Sequence, residues 1–164
     1  MLNVTGAIGV CHSFGIHPSA LVPALRKLKS VPHRMELRPG PITYIDDAYN
    51  SNPAGCKAAL DTLDTLARFD ACRILVTPGM VELGSAWEEE NKAFGRHAAG
   101  VCDLCVLVGI REAEPIKAGL LEAGFPEERI AVVSSLQEGL ARVNSFYSEK
   151  KKVVLLENDL PDNY

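Results

Sequence analysis

The sequence predicts an α/β fold in which a mostly parallel sheet is flanked by helices, and two observations lead to this prediction. The first is a series of short apolar segments rich in β-branched residues, which is typical of strands buried on both faces. The second is their alternation with helical patterns every ~25–30 residues, which indicates βα units with right-handed crossovers. The predicted strands are ITYI from Ile42, RILVT from Arg73, LCVLVG from Leu104, RIAVV from Arg129 and KVVLLE from Lys152.

Helical patterns separate these strands, and they span Pro53 to Phe69, about Ala86 to Ala99, about Glu112 to Glu122, and Leu136 to Tyr147. Asn52 can cap the first helix, because its side-chain oxygen can accept a free N–H of the first turn. Ser85 with Glu88, and Ser135 with Glu138, match the S-x-x-E capping box that precedes many helices. Each helix therefore has a local signal or a clear periodicity that supports it.

The N-terminal part of the chain shows a different pattern. Two helices are predicted, from Leu2 to Phe14 and from Pro18 to Leu28, and a segment rich in proline and glycine follows them. Two short helices bury little surface on their own. We therefore expect residues 1–38 to be the last helices of a preceding domain plus a linker, and residues 39–164 to be the α/β domain.

Composition argues against several classes of function. The net charge is −4 with both signs mixed and no basic stripe, which disfavours nucleic-acid binding. No apolar segment approaches the ~18 residues of a membrane helix. The five scattered cysteines fit a reducing cytoplasm, and the C-x-x-C of Cys102 and Cys105 is more simply a pair of core residues than a metal or redox site. The histidines show no spacing typical of a metal site, so no metal is expected on this chain.

The densest polar cluster is the segment 44–53, where the first predicted strand ends and the first helix begins. Open α/β sheets bind ligands at the carboxyl ends of their strands. Asp46 and Asp47 with Asn50 and Asn52 could hold ribose hydroxyls, a metal-bound phosphate or an amino group. The alternative is that the acids cap turns and the amides satisfy backbone donors.

A second cluster, TPGMVELG from Thr77, follows the second predicted strand and lies at the same edge of the sheet. Gly79 and Gly84 permit a positive φ or a close backbone approach. Glu82 could bind a cationic amine, although an ordinary βα loop explains the segment equally well. The chain contains no P-loop, no dinucleotide-binding glycine motif and no nucleophile elbow, so it has no phosphate cradle of its own.

The segment HRMELRPGPITYIDDAYNSNP strongly resembles the Mur ligases, the ATP-dependent amide-forming enzymes of peptidoglycan synthesis. Within them it is most similar to the MurF type, which adds D-alanyl-D-alanine to a UDP-N-acetylmuramoyl-tripeptide. The family pattern R-x-E, a strand, then D-D-x-Y-N-x-N-P is matched by Arg34, Glu36, Asp46, Asp47, Tyr49, Asn50, Asn52 and Pro53. GMVELG resembles the family's G-D-M-x-E-L-G, and NVTGAIGV from Asn3 resembles the end of its central domain.

The resemblance implies a three-domain enzyme, in which this chain begins in the last helices of the ATPase domain and contains the Rossmann-like C-terminal domain. It implies that ATP and Mg²⁺, bound mainly by the central domain, phosphorylate the peptide carboxylate, and that the incoming amine then attacks it. The expected partners are a UDP-MurNAc-peptide and an amino acid or dipeptide. We expect a cytoplasmic monomer, and an isolated chain that is inactive.

The resemblance also implies roles for particular residues. The Arg34 position reaches the ATP phosphates and is the expected catalytic residue, because a guanidinium there stabilises charge on the transferred phosphoryl group. Asp47 is expected near the nucleotide and its ribose, and Asn3 on the adenine side. The expected lining of the pocket for the amino substrate is Asp46, Tyr49, Asn50, Asn52, Met80, Glu82 and Leu83.

Three departures from the family pattern affect the substrate. Pro78 and Gly79 precede Met80 where the family has G-D-M, and Asn91 replaces a histidine in the following helix. The last strand runs into ENDLPDNY instead of K-G-S-R, so positive charge is lost near the substrate. A related ligase with another amino substrate, such as a folylpolyglutamate-like or amidating enzyme, is therefore an alternative. A stand-alone α/β binding module is a third.

Overall fold

A computed structural model describes residues 2–28, 31–49, 51–67 and 70–158, which divide between two compact units. The helical unit comprises residues 1–30, and the sheet unit comprises residues 31–164. Residues 31–38, which the sequence predicts as part of a linker, belong to the sheet unit.

The helical unit consists of two helices that pack against each other, α1 (Leu2–Ser13) and α2 (Pro18–Leu25). Gly15 follows α1 with a φ of 81°, a conformation that terminates helices and favours glycine. The N-cap of α2 is His17, whose Nδ1 accepts a hydrogen bond from the Ser19 N–H. Both predicted helices are confirmed, although α2 ends three residues before the predicted Leu28.

The sheet unit contains a six-stranded sheet in the order β1-β2-β6-β3-β4-β5. The strands are β1 (Glu36–Arg38), β2 (Ile42–Asp47), β3 (Ala71–Thr77), β4 (Leu104–Val108), β5 (Ile130–Val133) and β6 (Lys151–Glu157). Strands β2 to β6 pair in parallel, and β1 is an antiparallel edge strand on β2. The mostly parallel sheet is as predicted; β1 was not predicted. Because β6 lies between β2 and β3, the carboxyl ends of these three strands are adjacent.

Four helices cover the sheet: α3 (Pro53–Ala67), α4 (Trp87–Ala99), α5 (Ala113–Glu122) and α6 (Leu136–Ser145). Leu60, Phe94 and Ile116 from α3, α4 and α5 belong to one core cluster, and Leu136 and Val143 from α6 belong to a second. The apolar strands are therefore covered on both faces, which explains their lack of polar alternation. None of the helices in the described part of the chain is long and apolar enough to cross a membrane.

Two predicted helix caps are confirmed and one is wrong. Asn52 Oδ1 accepts from the Gly55 N–H at 2.9 Å, and Ser135 Oγ accepts from the Glu138 N–H at 3.2 Å. The capping box of Ser85 and Glu88 does not form. Residues 84–86 instead make a 3₁₀ turn, so Ser85 lies within that turn and α4 begins at Trp87.

Some predicted boundaries change as well. The chain leaves α6 at Phe146, whose backbone is extended, so this helix ends before the predicted Tyr147. Arg129 lies in a short 3₁₀ turn and β5 starts one residue later. The predicted end of α3 at Phe69 lies outside the described residues.

Candidate functional site

Asp46, near the carboxyl end of β2, is fully buried and its carboxylate is occupied by protein groups. It accepts a hydrogen bond from the Ala48 N–H at 3.2 Å and lies 3.0 Å from His33 Nδ1. The Arg38 guanidinium approaches it to 2.8 Å. This carboxylate therefore attaches the segment 33–38 to β2, and the structure shows contacts to protein atoms at both of its oxygens.

Asp47, the next residue, points to a different environment. Its Oδ1 accepts a hydrogen bond from the Met35 N–H at 3.0 Å, and within the described residues no donor contacts its Oδ2. Partial burial raises the pKa of this carboxyl, while the Met35 N–H and the Arg34 charge oppose that rise. Asp47 thus combines one oxygen that is fixed by the protein with one that can accept from a ligand.

Arg34 lies on a tight turn whose two neighbours have left-handed backbone conformations, His33 with a φ of 56° and Met35 with a φ of 50°. The Tyr49 N–H donates to the His33 carbonyl oxygen at 3.2 Å, which holds this turn against the end of β2. The Arg34 guanidinium carbon lies 4.2 Å from the centroid of the Tyr49 ring. Both side chains are exposed, so the cation is presented at the sheet edge.

The loop after β3 is shaped by Asn91, which is buried in α4. Its Oδ1 accepts from the Met80 N–H at 2.8 Å, and its Nδ2 donates to the Met80 and Trp87 carbonyl oxygens at 3.0 and 2.9 Å. Gly79 has a φ of 85°, and a Cβ there would lie 2.7 Å from Asn91 Oδ1. Asn91, which the sequence marks only as a departure from the family pattern, therefore fixes the loop conformation.

The predicted pocket residues differ in how far they can reach a ligand. Tyr49 and Glu82 are exposed, and Glu82 has a φ of 59°. Met80 is buried in the core and Leu83 packs against it, so both can shape a pocket more readily than line it. Asn52 is used as the cap of α3. Two other predicted site residues, Asn50 and Asn3, are respectively outside the described residues and in α1 of the helical unit.

The end of β6 holds two buried polar residues that the sequence did not single out as site residues. Glu157 Oε1 accepts a hydrogen bond from Ser51 Oγ, which also contacts Cys56 Sγ at 2.7 Å. Asn158 has a φ of 67°, and its Nδ2 donates to the Gly79 carbonyl oxygen. The ends of β2, β3 and β6 are thus tied together. Glu157 Oε2 and Asn158 Oδ1 are buried and have no partner in the part of the chain that is described.

Burial raises the pKa of Glu157 from its ordinary value of 4.5 to about 7, and the nearby Asp47 charge adds to the rise. The hydrogen bonds from Ser51 and Cys56 act in the opposite direction. Burial likewise raises the pKa of the Cys56 thiol, so that group stays neutral. Near neutral pH the end of β6 therefore holds a carboxyl group that can be either charged or neutral.

We expect Glu157→Gln to remove part of the pH dependence of stability. Because the folded-state pKa exceeds the unfolded value, Glu157 takes up a proton on folding between these two values, and stability falls as pH rises from about 4.5 to about 7. Glutamine is uncharged throughout. Urea unfolding should therefore give the variant an advantage of roughly 3 kcal/mol at pH 8 and little advantage at pH 4.

Glu149→Gln, at an exposed position on the same unit, is the matched control and should follow the wild-type pH profile. A Glu157→Gln variant whose stability tracks the wild type from pH 4 to pH 8 contradicts the raised pKa.

The described residues thus bring Arg34, Asp47 and Tyr49 together at the end of β2, and connect that end to the loops after β3 and β6. They include no group of three or more histidine, cysteine or acidic side chains that could hold a metal ion. The edge offers a fixed cation, a carboxylate oxygen open to a donor, and an aromatic ring, a set that suits a phosphorylated and hydroxylated ligand.

Comparison with known proteins finds a match to the part of the chain that contains Arg34, Asp47 and Tyr49. The family model described as "Mur ligase, glutamate ligase domain" matches residues 33–157. A UDP-N-acetylmuramoylalanine–D-glutamate ligase of Caldanaerobacter subterraneus subsp. tengcongensis is 30% identical over 94% of this chain and 32% of its own length. A UDP-N-acetylmuramoyl-tripeptide–D-alanyl-D-alanine ligase of Bacillus subtilis is 33% identical over 58% of this chain and 21% of its own length. The chain spans about a third or less of these relatives.

Solved structures share the fold. MurF from Acinetobacter baumannii gives a TM-score of 0.74 at 23% identity, over 95% of this chain and 34% of that one. MurF from Thermotoga maritima in complex with ADP gives 0.71 at 24% identity, over 96% of this chain and 34% of that one. A folylpolyglutamate synthase from Thermotoga maritima gives 0.58 at 15% identity, over 91% and 33%. The predicted α/β architecture is therefore confirmed.

Proposed function

This chain belongs to the Mur ligase family, and from that premise we propose that it is the domain of a peptidoglycan-precursor ligase that receives the incoming amino substrate and closes over ATP. The observation that carries the proposal is the arrangement at the end of β2. There the exposed Arg34 is fixed on Tyr49 beside Asp47, at the sheet edge where α/β proteins bind ligands. The family match from residue 33 to residue 157 covers this whole edge.

On the nucleotide side, we assign Arg34 to the ATP phosphates and Asp47 to the ribose. ATP, with Mg²⁺, supplies the phosphoryl group that activates the acid substrate, and we assign their main binding site to a central ATPase domain. The guanidinium of Arg34 offers a forked set of donors to phosphate oxygens, and it would stabilise negative charge as the phosphoryl group moves. Asp47 Oδ2, which has no donor among the described residues, can accept from a ribose hydroxyl. Asn3 remains our candidate for the adenine side.

On the amine side, we assign different roles to the proposed pocket residues. Glu82 is exposed and is the one best placed to touch a substrate, whereas the exposed Tyr49 borders the pocket with its ring under the Arg34 guanidinium. Asp46, Met80 and Leu83 act through the shape of the edge, because their side chains are buried or packed on the core. Asn50 and Asn52 complete the proposed pocket through the loop between β2 and α3.

The proposed amino substrate is D-alanyl-D-alanine or a similar amine, and a related amino-acid ligase is the second candidate. The observation that favours the second candidate is the end of β6, where the chain runs into ENDLPDNY instead of the family's K-G-S-R. Glu157 is fully buried and does not itself contact the amine, but the loss of the family's lysine and arginine removes positive charge that could bind a carboxylate of the substrate, so an amine other than D-alanyl-D-alanine becomes a candidate. Folylpolyglutamate synthase has the same fold, which supports this candidate only at the level of architecture.

An amide-formation assay on the full-length protein that carries this domain tests the proposal. We expect ATP-dependent coupling of a UDP-MurNAc-peptide to one amine from a panel of D-alanyl-D-alanine, D-glutamate and diamino acids. The isolated 164-residue chain should show no ATP hydrolysis, because it contains no P-loop. Enzyme-like ATP hydrolysis by that chain, or coupling of glutamate to a folate and to no UDP-MurNAc-peptide, contradicts it.

A further inference from the structure

We propose that Tyr49 is a positioning residue, whose ring and backbone hold the Arg34 guanidinium in the orientation that the phosphoryl transfer requires. The inference rests on the proposed function, because it presupposes that Arg34 acts on the phosphates. It reassigns Tyr49 from the substrate pocket to the support of the catalytic arginine.

The first support is the stacking geometry. The Arg34 guanidinium carbon lies 4.2 Å from the Tyr49 ring centroid, within the range of a cation–π interaction. A guanidinium stacked on a ring keeps its edge N–H groups free, because the ring contacts its face. Tyr49 can therefore fix the plane of the arginine without using the donors that a phosphate would need.

The second support is the backbone on which Arg34 lies. The Tyr49 N–H donates to the His33 carbonyl oxygen, and Asp47 Oδ1 accepts from the Met35 N–H, so the residues on both sides of Arg34 are anchored. The positive φ values of His33 and Met35 are costly for side-chain-bearing residues, and they persist only where surrounding contacts enforce them. The segment 47–49 thus fixes both the backbone and the side chain of one arginine.

The third support is that core packing does not account for the Tyr49 ring. Tyr49 is 61% exposed, so its ring adds little to the hydrophobic core. An exposed arginine samples many rotamers, and each unproductive rotamer lowers the population of the reactive arrangement. A ring placed under the guanidinium restricts those rotamers before the substrate arrives. The expected consequence is a contribution to kcat that exists only while Arg34 is present.

A double-mutant cycle on the full-length ligase tests this dependence. We expect Tyr49→Leu to lower kcat about two- to fivefold with the KM for the amine unchanged, as the loss of an exposed cation–π contact implies. Tyr49→Phe keeps the ring and should have a kcat close to that of the wild type. In an Arg34→Ala background, Tyr49→Leu should have no further effect. Phe146→Leu, which removes the ring beneath Arg142 on α6, is the matched control and should leave kcat unchanged.

A measurement on the 164-residue chain checks the resting geometry independently of activity. The side-chain N–H resonance of Arg34 should be shifted upfield by the ring in the wild type and in Tyr49→Phe, and this shift should disappear in Tyr49→Leu. An unshifted wild-type resonance overturns the inference. A second outcome also overturns it: Arg34→Ala is strongly impaired, but Tyr49→Leu lowers kcat by the same factor in the wild-type and Arg34→Ala backgrounds. If Arg34→Ala is fully active, the proposed function of this edge fails and the inference fails with it.

Discussion

Replacement of Arg34 by alanine is expected to lower the kcat of the full-length ligase by about 10²- to 10³-fold, the range found when one preorganised donor to a developing charge is removed. The KM for the incoming amine should change less than about threefold, because the guanidinium is aimed at the phosphates. Steady-state assays of phosphate release and amide formation, with the amine varied at saturating ATP, separate these two effects.

Two further variants sharpen the interpretation of Arg34. Arg34→Lys keeps the positive charge but loses the planar fork and the stacking on Tyr49, so we expect roughly a tenfold loss of kcat. Arg142→Ala removes another ring-stacked arginine, on α6, and should leave kcat near the wild-type value. An Arg34→Ala enzyme with normal kcat and a raised KM for the amine would instead place this residue in the amine pocket.

The architecture of the sheet could be predicted from sequence because its signals are local and redundant. Each parallel strand contains a short segment that is mostly apolar, and Asn52 and Pro53 mark the start of α3. The three-residue strand β1 lacks such a signal. It is held on β2 by the contacts that His33 and Arg38 make with Asp46. These contacts join two segments separated by a turn, so no local pattern predicts them.

The predicted capping box at Ser85 does not form, because tertiary contacts determine how the chain enters α4. The sequence S-x-x-E is present, but Asn91 accepts and donates hydrogen bonds to the Met80 backbone and holds the preceding loop in another path. The chain enters α4 through a 3₁₀ turn, and Ser85 lies inside it. The spacing of the S-x-x-E motif does not indicate that the Asn91 side chain is buried against this loop, so the failure of the capping box could not be predicted from it.

The acidic pair illustrates how much of the site could be predicted. Sequence reasoning placed Asp46 and Asp47 at the carboxyl edge of the sheet, and the structure confirms that location. The sequence does not show which of the two carboxylates is occupied by protein groups. Adjacent residues of a strand point to opposite faces, and the partners of both residues come from the segment 33–38. The ligand roles assigned to both residues remain predictions.

The sequence marks Glu157 and Asn158 only as a departure from a family pattern, because nothing in their local sequence predicts a buried carboxyl group. Their burial arises from topology. Strand β6 is last in the chain but lies between β2 and β3, so its end is enclosed by loops more than seventy residues away, as the contacts to Ser51 and Gly79 show. A charge change there is therefore felt at the candidate site.

Helices α4 and α5 cross with their backbones in close contact, and two glycines make this crossing possible. A Cβ on Gly119 would overlap the Lys92 carbonyl oxygen, and one on Gly95 would overlap the Ile116 carbonyl oxygen. The two backbones can approach this closely only without side chains at these positions. Since α4 also carries Asn91, this crossing sets the position of the residue that shapes the Met80 loop.

Gly119→Ala is expected to destabilise the isolated 164-residue chain by more than about 4 kcal/mol, a cost typical of severe overpacking, because rigid backbone atoms and no flexible side chain occupy the space. Urea unfolding followed by circular dichroism measures the change, and Gly95→Ala should act similarly from the opposite helix. Gly100→Ala, at the end of α4, is the matched control: the nearest atom to its added Cβ is the His97 carbonyl oxygen at 3.6 Å, so its effect should stay within about 1 kcal/mol. If Gly119→Ala unfolds at the same urea concentration as Gly100→Ala, the helices can separate without loss, and the close crossing is not what fixes Asn91 against the loop.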